Sequence, residues 1–430
     1  MMYAILIASI GFFVFAFFIF INGRNKISTA PFAEPEIRKS DHRLFLRKVF
    51  FTSWSIRLSL LLFVNMTGAI EKLGLSSDSL YYTRVGKIVA NQMANGNFNW
   101  PRWIDNAWFQ FNGLVFYLFG PHPIYVQLFN ITVASIMPII VFHTLKKVFP
   151  DIRIARLTTL MVAFFPSFIY WSVLMLKDPI SWLAVSLLVY GTVSVKIKFS
   201  VKYVISILIG LIIFLGVREY MLYISMMIVF LSLVPLKGST LGVFVRWIAV
   251  ILIMGFIAQL AGFGFFAMDR IADSVYFDLD YLNHARVKLS DHGSGRFFQN
   301  EEDAVWGQGW LNDLKSFSLA VYYSFLSLDI TSLGSVRQLM ALPEVLLFMN
   351  LFPNLVVGAK EIWRRHRNLA LPLLGFGFGI LVVYGSTTTN KGALFRWRMQ
   401  ALPYLLAIIS YGIYFRKKGW FYKLLIKYKI

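Results

Sequence analysis

The sequence predicts an all-α fold, a polytopic transmembrane helix bundle of about eleven spans with its N-terminus outside and its C-terminus inside. Three observations predict it. The chain of 430 residues is 58% hydrophobic and only 15% charged, whereas a soluble domain is about half apolar and about a quarter charged. Its apolar residues fall in long runs, one after another, each near the ~20 residues that cross ~30 Å of hydrocarbon. Its excess of basic over acidic residues falls on one side of those runs.

The runs lie near 3–21, 49–69, 124–144, 155–173, 179–195, 202–217, 219–235, 243–266, 341–358, 369–386 and 399–415. The first reads as a retained anchor helix: no basic n-region precedes it and no small-residue cleavage site follows it. The pair 202–217 and 219–235 is split only by Arg218 and Glu219 and reads as a tight helical hairpin. Four regions follow from this pattern. Residues 1–48 are an extra N-terminal span with a basic cytoplasmic loop, and 49–266 a transmembrane core containing the outer loop 70–123. Residues 267–340 are a long extracytoplasmic loop, and 341–430 the C-terminal spans with a basic cytoplasmic tail.

The net charge of +21 invites a nucleic-acid reading, and the position of the charges excludes it. Of 42 Lys and Arg, 26 sit in 22–48, 145–156, 196–202, 236–246, 359–368 and 416–430, with five of the 21 acids. The opposite side is nearly neutral, so the excess is a topology signal and no nucleic-acid partner is needed. With no cysteine, disulfides, thiolate metal sites and cysteine nucleophiles are excluded. No Walker A, dinucleotide-binding, nucleophile-elbow or zinc-protease motif occurs, so energy comes from a pre-activated substrate or an ion gradient.

In the first outer loop the stretch from Ser77 to Val89 has helical periodicity, with Tyr81, Val85 and Ile88 on one face and Arg84, Lys87 and Asn91 on another. Ser77 is the expected N-cap, Asp78 stands in the first turn, and Asn95-Gly96-Asn97 ends the helix. Trp100, Trp103 and Trp108 mark a second segment riding at headgroup level. Asp78 reads either as an acid that complements the helix dipole or as a general base held at the membrane surface. Lys177-Asp178, between two apolar runs, reads either as a self-neutralising pair or as a phosphate site in which Asp178 orients Lys177. Arg396 and Arg398 follow the polar run Ser386 to Gly392 and read as a phosphate site or as interfacial snorkelling beside Trp397. Arg218-Glu219 reads as a self-paired turn, and Arg57, within a span, is expected to turn inward and pair with an acid.

The second outer loop holds Asp269, Asp273, Asp278, Asp280, Asp291, Glu301, Glu302 and Asp303, a solvated acidic stretch whose Asp278-x-Asp280 has oxygen ligands for a divalent cation. No metal site and no cofactor is predicted from it; His284 and His292 are too loosely spaced for zinc. Gly293, Gly295, Gly307 and Gly309 give it the composition of a mobile cover.

The order of an outer Asp, a Tyr three or four residues on and an amphipathic helix after an early span resembles the GT-C class of membrane glycosyltransferases. Phe111-Asn112-Gly113 through Tyr117, Gly120-Pro121-His122-Pro123, Leu128-Phe129-Asn130, Phe165-Pro166-Ser167 through Ser172 and Leu176-Lys177-Asp178 look like segments of that class, and Gln338 through Glu344 and Asn390 through Arg398 resemble motifs of bacterial family 39-like glycosyltransferases. The resemblance implies a catalytic Asp78, with Tyr82, Lys177, Asp178, Arg396 and Arg398 as substrate or lipid-phosphate contacts. It implies a polyprenyl-phosphate-linked sugar as donor and a glycan or lipid acceptor. The implied location is the bacterial inner membrane, with the site facing the periplasm or exterior. The extra helix and basic loop ahead of residue 49 depart from that family's start. Two other readings predict different chemistry: a polysaccharide polymerase or ligase using lipid-pyrophosphate-linked repeats, and a transporter of lipid-linked glycans. The last expects a repeat between halves and charges within spans, of which only Arg57 is present.

Overall fold

The structure, a computed structural model, describes residues 39–68, 77–97, 107–234, 305–307, 309–326, 336–388, 390–417 and 422–423, with positions 248, 283 and 287. Among these residues about 89% are helical and no strand occurs, so the fold is all-α. Apart from positions 248, 283 and 287, the runs 3–21 and 243–266, Trp100, Trp103 and the acidic stretch from Asp269 to Asp303 lie outside them, as do His284, His292, Gly293 and Gly295.

The helices in chain order are α1 (Lys39–Thr67), α2 (Ser77–Ala94), α3 (Ala107–Phe119), α4 (Ile124–Val148), α5 (Ile152–Phe164), α6 (Pro166–Ser172), α7 (Asp178–Ile197), α8 (Val201–Val217) and α9 (Glu219–Leu233). Then follow α10 (Trp310–Leu326), α11 (Val336–Leu374), a π-turn Gly375–Gly379, α12 (Ile380–Thr387), α13 (Lys391–Trp397) and α14 (Leu402–Arg416). Among the described residues, four stretches are long and apolar enough to cross a membrane: His42–Thr67, Ile124–Val148, Asp178–Ile197 and Ala341–Thr387. A fifth is added if the α5–α6 pair is one span. That pair bends by 46°, because Pro166 offers no N–H to the turn before it and holds Phe165 in an extended conformation. The run 155–173 is therefore broken rather than straight.

The described residues form two compact units, one within Met1–Tyr190, Ile212–Glu219 and Ile413–Ile430, the other within Gly191–Leu211 and Tyr220–Gly412. In the first unit α2 lies along α3 through small residues. A Cβ on Gly113 would stand 2.2 Å from Val89, and one on Gly86 would stand 3.0 Å from the Phe116 ring. This close approach selects the packed face of α2. Ser79, Tyr82, Gly86, Val89 and Ala90 turn inward, while Tyr81 (54%) and Ile88 (51%) remain exposed. The stripe of Tyr81, Val85 and Ile88 is thus not the buried one, because backbone proximity outweighs side-chain hydrophobicity here. Trp108 is buried with Tyr82, Phe116, Leu174 and Met175, and does not ride at the surface.

In the second unit, α11, the π-turn and α12 are continuous helical chain, yet this chain folds back on itself. The Phe325 ring lies 6.0 Å from Phe352 and 6.1 Å from Phe378, two residues that a straight helix would hold about 39 Å apart. Gly358 and Gly377 likewise both abut Ile408 of α14. The reversal lies between these two glycines. Residues 359–368, expected as a loop, are helical: Glu361 pairs with Arg364 at 3.1 Å and Arg365 at 3.0 Å, and neither Gly nor Pro interrupts them.

Candidate functional site

Between α6 and α7 the chain leaves helical geometry for residues 173–177, and buried side chains satisfy the backbone groups this frees. Gln127 donates to the Val173 carbonyl at 3.0 Å, and Asn130 donates to the carbonyls of Leu174 and Leu176 at 2.8 and 2.9 Å. Asn65 of α1 in turn donates to Gln127 at 3.1 Å. From the other side, Ser79 of α2 accepts the Met175 N–H at 3.2 Å, and Thr83 donates to the Met175 sulfur at 3.3 Å. Irregular backbone within an apolar bundle survives only with such partners. Asn130 stands in the resembling stretch Leu128-Phe129-Asn130, but its role here was not read from sequence and Gln127 was not singled out, although a polar amide inside the apolar run 124–144 is a readable signal.

This latch brings together two of the sequence-predicted regions. Asp78, half-buried in the first turn of α2, adjoins Ser79; Lys177 stands two residues past Met175. Lys177 is half-buried and its Nζ donates to the Val217 carbonyl at the C-terminus of α8, 3.2 Å away, where the helix dipole favours a cation. Asp178 begins α7 fully buried and pairs with Arg218 at 2.8 Å, both side chains about 1% exposed. Beyond the neighbour pairs that the sequence suggests, the structure adds distant partners: Lys177 reaches the Val217 carbonyl, and Arg218 reaches the Asp178 carboxylate 40 residues away. Consecutive residues at a helix boundary point in different directions, which brings each toward a different partner. Tyr82 lies beneath this segment, 8% exposed, packed among Phe109, Leu174 and Met175.

Arg57 is completely buried in α1. It donates to Ser172 at 3.1 Å, to the Ser53 carbonyl at 3.1 Å and to the Ser53 hydroxyl. It was expected to find an acid, but hydroxyls and a carbonyl surround it instead, and no acid among the described residues pairs with it.

The second unit holds Arg396 and Arg398. Arg398 is buried, its Nη2 donating to Glu344 at 2.8 Å and its Nη1 to the Phe325 carbonyl at 2.6 Å, with its guanidinium over the Phe395 ring at 4.3 Å. It does not snorkel, since Glu344 answers its charge inside the protein. Arg396 is half-buried. Asn390 caps α13 through the Ala393 N–H at 3.0 Å, and Lys391 lies 4.9 Å from the Tyr323 ring. Among the described residues no group of three His, Asp or Glu stands together to hold a metal ion.

In chemical terms the first unit offers a half-buried carboxylate in the first turn of α2 and a half-buried amine at the end of the non-helical segment that Ser79 holds. Such a set can take a proton and receive an anion. No protein-family model, no curated protein and no solved structure matches this chain.

Proposed function

We propose that this chain is an integral membrane glycosyltransferase. It takes a sugar from a polyprenyl-phosphate carrier and transfers it to a lipid- or polymer-linked glycan in the synthesis of a cell-surface polysaccharide. The observation that supports this reading is the latch through Ser79 and Met175, which ties the turn bearing Asp78 to the segment bearing Lys177. Asp78 accepts the proton of the acceptor hydroxyl as its oxygen attacks the anomeric carbon. The bond from that carbon to the carrier phosphate breaks, and the lipid phosphate departs with its electrons toward the Lys177 ammonium. Asp178, held by Arg218, positions the start of α7 and makes no contact with phosphate in this reading. A lipid-borne donor accounts for chemistry without a nucleotide fold.

The finer topology belongs to the same proposal: about eleven crossings, N-terminus outside, C-terminus inside, in a bacterial inner membrane with the site on the outer face. The test is the purified chain in vesicles given radiolabelled polyprenyl-phosphate sugar. Free lipid phosphate is expected only when acceptor is present, and Asp78→Asn is expected to abolish its release while the protein still inserts and folds. Release from Asp78→Asn at the parent rate would overturn the proposal. Lipid pyrophosphate as the product would replace it with the polymerase, and carrier movement without bond cleavage with the transporter.

A further inference from the structure

Helix α10 is built inside out. Its buried positions are Ser316, Ala320 and Ser324, each about 1% exposed, with Tyr323 beside them. Its opposite face carries Leu311 (62%), Leu314 (55%) and Tyr322 (49%), with Trp310 (74%) at its start. A helix in water buries its leucines and presents its serines. In a bilayer the lipid tails are as apolar as leucine, so small residues make the helix contact and large apolar ones face outward.

The buried seam fits that second rule. Gly385 of α12 faces α10 so closely that a Cβ there would stand 2.8 Å from the Ser324 hydroxyl and 3.0 Å from the Ala320 carbonyl. Ser324 donates to the Ala320 carbonyl at 2.7 Å and to the Leu381 carbonyl at 3.2 Å, a polar contact across the seam. Ser318, the hydroxyl on the outer face, donates to the Leu314 carbonyl at 2.8 Å and so needs no water. The outer surface also continues onto a candidate span. Phe325, at the end of α10, meets the exposed Phe352, and Val382 is exposed beside the Leu381 that Ser324 contacts. The polar end is confined to the first turns, where Asp313 accepts the Gly307 N–H at 2.9 Å and Asn312 and Lys315 are exposed.

We infer that the outer face of α10, from Leu314 to Tyr322, is covered by bilayer hydrocarbon, with Trp310 and Asn312 at the headgroup level. The helix is about 25 Å long, against a hydrocarbon core of about 30 Å. The interaction surface is therefore lipid, and this part of 267–340 is membrane rather than extracytoplasmic loop. The inference does not depend on the transferase reading.

The absence of native cysteine makes each introduced thiol a unique reporter. Leu314→Cys, Ser318→Cys and Tyr322→Cys, with Asn312→Cys and Ser316→Cys, are made in the full chain, spin-labelled and reconstituted in phospholipid vesicles. Relaxation is then measured with oxygen, which concentrates in hydrocarbon, and with a water-soluble nickel chelate. At 314, 318 and 322 oxygen is expected to act severalfold more strongly than nickel, and at 312 the order reverses. Ser316→Cys is expected to be closed to both, which reports that the small-residue face of α10 is packed. Nickel access along the outer face means water there and overturns the inference. Exclusion of both reagents from that face means a protein cover, such as a second copy, and overturns it equally. An open Ser316→Cys removes the seam and with it the inference.

Discussion

The hydroxyl of Ser79 accepts the main-chain N–H of Met175 at 3.2 Å, across 96 residues of sequence. It is 3% exposed, so no water replaces it when it is removed. Ser79→Ala leaves a buried donor unmet and should destabilise the chain by roughly 1–3 kcal/mol. Denaturation of the purified protein in mild detergent reads this as an earlier transition. If the latch also sets the distance between Asp78 and Lys177, transfer falls further than stability does. An unchanged transition would mean that the Met175 N–H has another partner.

The buried pair of Asp178 and Arg218 makes a prediction about coupling. Removing one member takes from the other the opposite charge it meets at 2.8 Å, so Asp178→Leu or Arg218→Met alone should cost about 3–5 kcal/mol. The two together remove both charges and should recover most of that loss. A denaturation cycle over the four proteins measures the coupling, and additive losses would show that the two residues act separately.

Arg57 reverses the sign. Among the described residues its guanidinium, buried in α1, has hydroxyl and carbonyl partners and no acid, and burying a charge without a counter-ion is costly. Arg57→Met keeps the volume and removes the charge, while Ser172 retains its own bond to the Ile169 carbonyl at 2.8 Å. Met should therefore match the parent or exceed it by ~1–4 kcal/mol, as apolar replacements of buried ion pairs often do. Arg57→Ala leaves a cavity and should lose roughly 2–5 kcal/mol. A Met variant as weak as the Ala variant would reveal a counter-ion for Arg57.

What was legible in the sequence was governed by local chemistry. The runs at 49–69, 124–144 and 179–195 became α1, α4 and α7 within a few residues at most boundaries, because a long apolar stretch satisfies its backbone best as a helix. Asn95-Gly96 ended α2 for equally local reasons. The break at Pro166 was signalled by its residue type, but an apolar run long enough to span masks a bend within it. Partner choice was not legible. Asp178 meets Arg218 over 40 residues and Arg398 meets Glu344 over 54, and nothing in the local pattern of either pair names the other. The packed face of α2 was missed for a related reason, since Gly86 and Gly113 act by admitting a neighbour and hydrophobicity does not register that. Of the candidate site, Asp78 and Lys177 were visible as residues; the Gln127, Asn130 and Ser79 contacts that tie their segments together were not.

In the second unit α11 and α14 cross closely at Gly358 and Gly412. A Cβ on Gly358 would stand 2.1 Å from the Ile408 carbonyl oxygen, and one on Gly412 would stand 2.0 Å from that of Asn354. Both obstacles are backbone, so no rotamer change relieves them and the helices must separate. Separation also disturbs the arm that folds back, because Gly377 packs on the same stretch of α14 through Tyr404, Leu405 and Ile408. Gly358→Ala and Gly412→Ala should each cost more than the ~1–3 kcal/mol typical of overpacking, since here a main chain must move. Gly377→Ala meets only side chains at 3.5 Å or more and should stay near the parent. Denaturation midpoints of the three variants in one detergent give the order directly. A Gly358→Ala protein as stable as Gly377→Ala would mean that α11 and α14 do not approach this closely, and the fold-back resting on that contact would have to be redrawn.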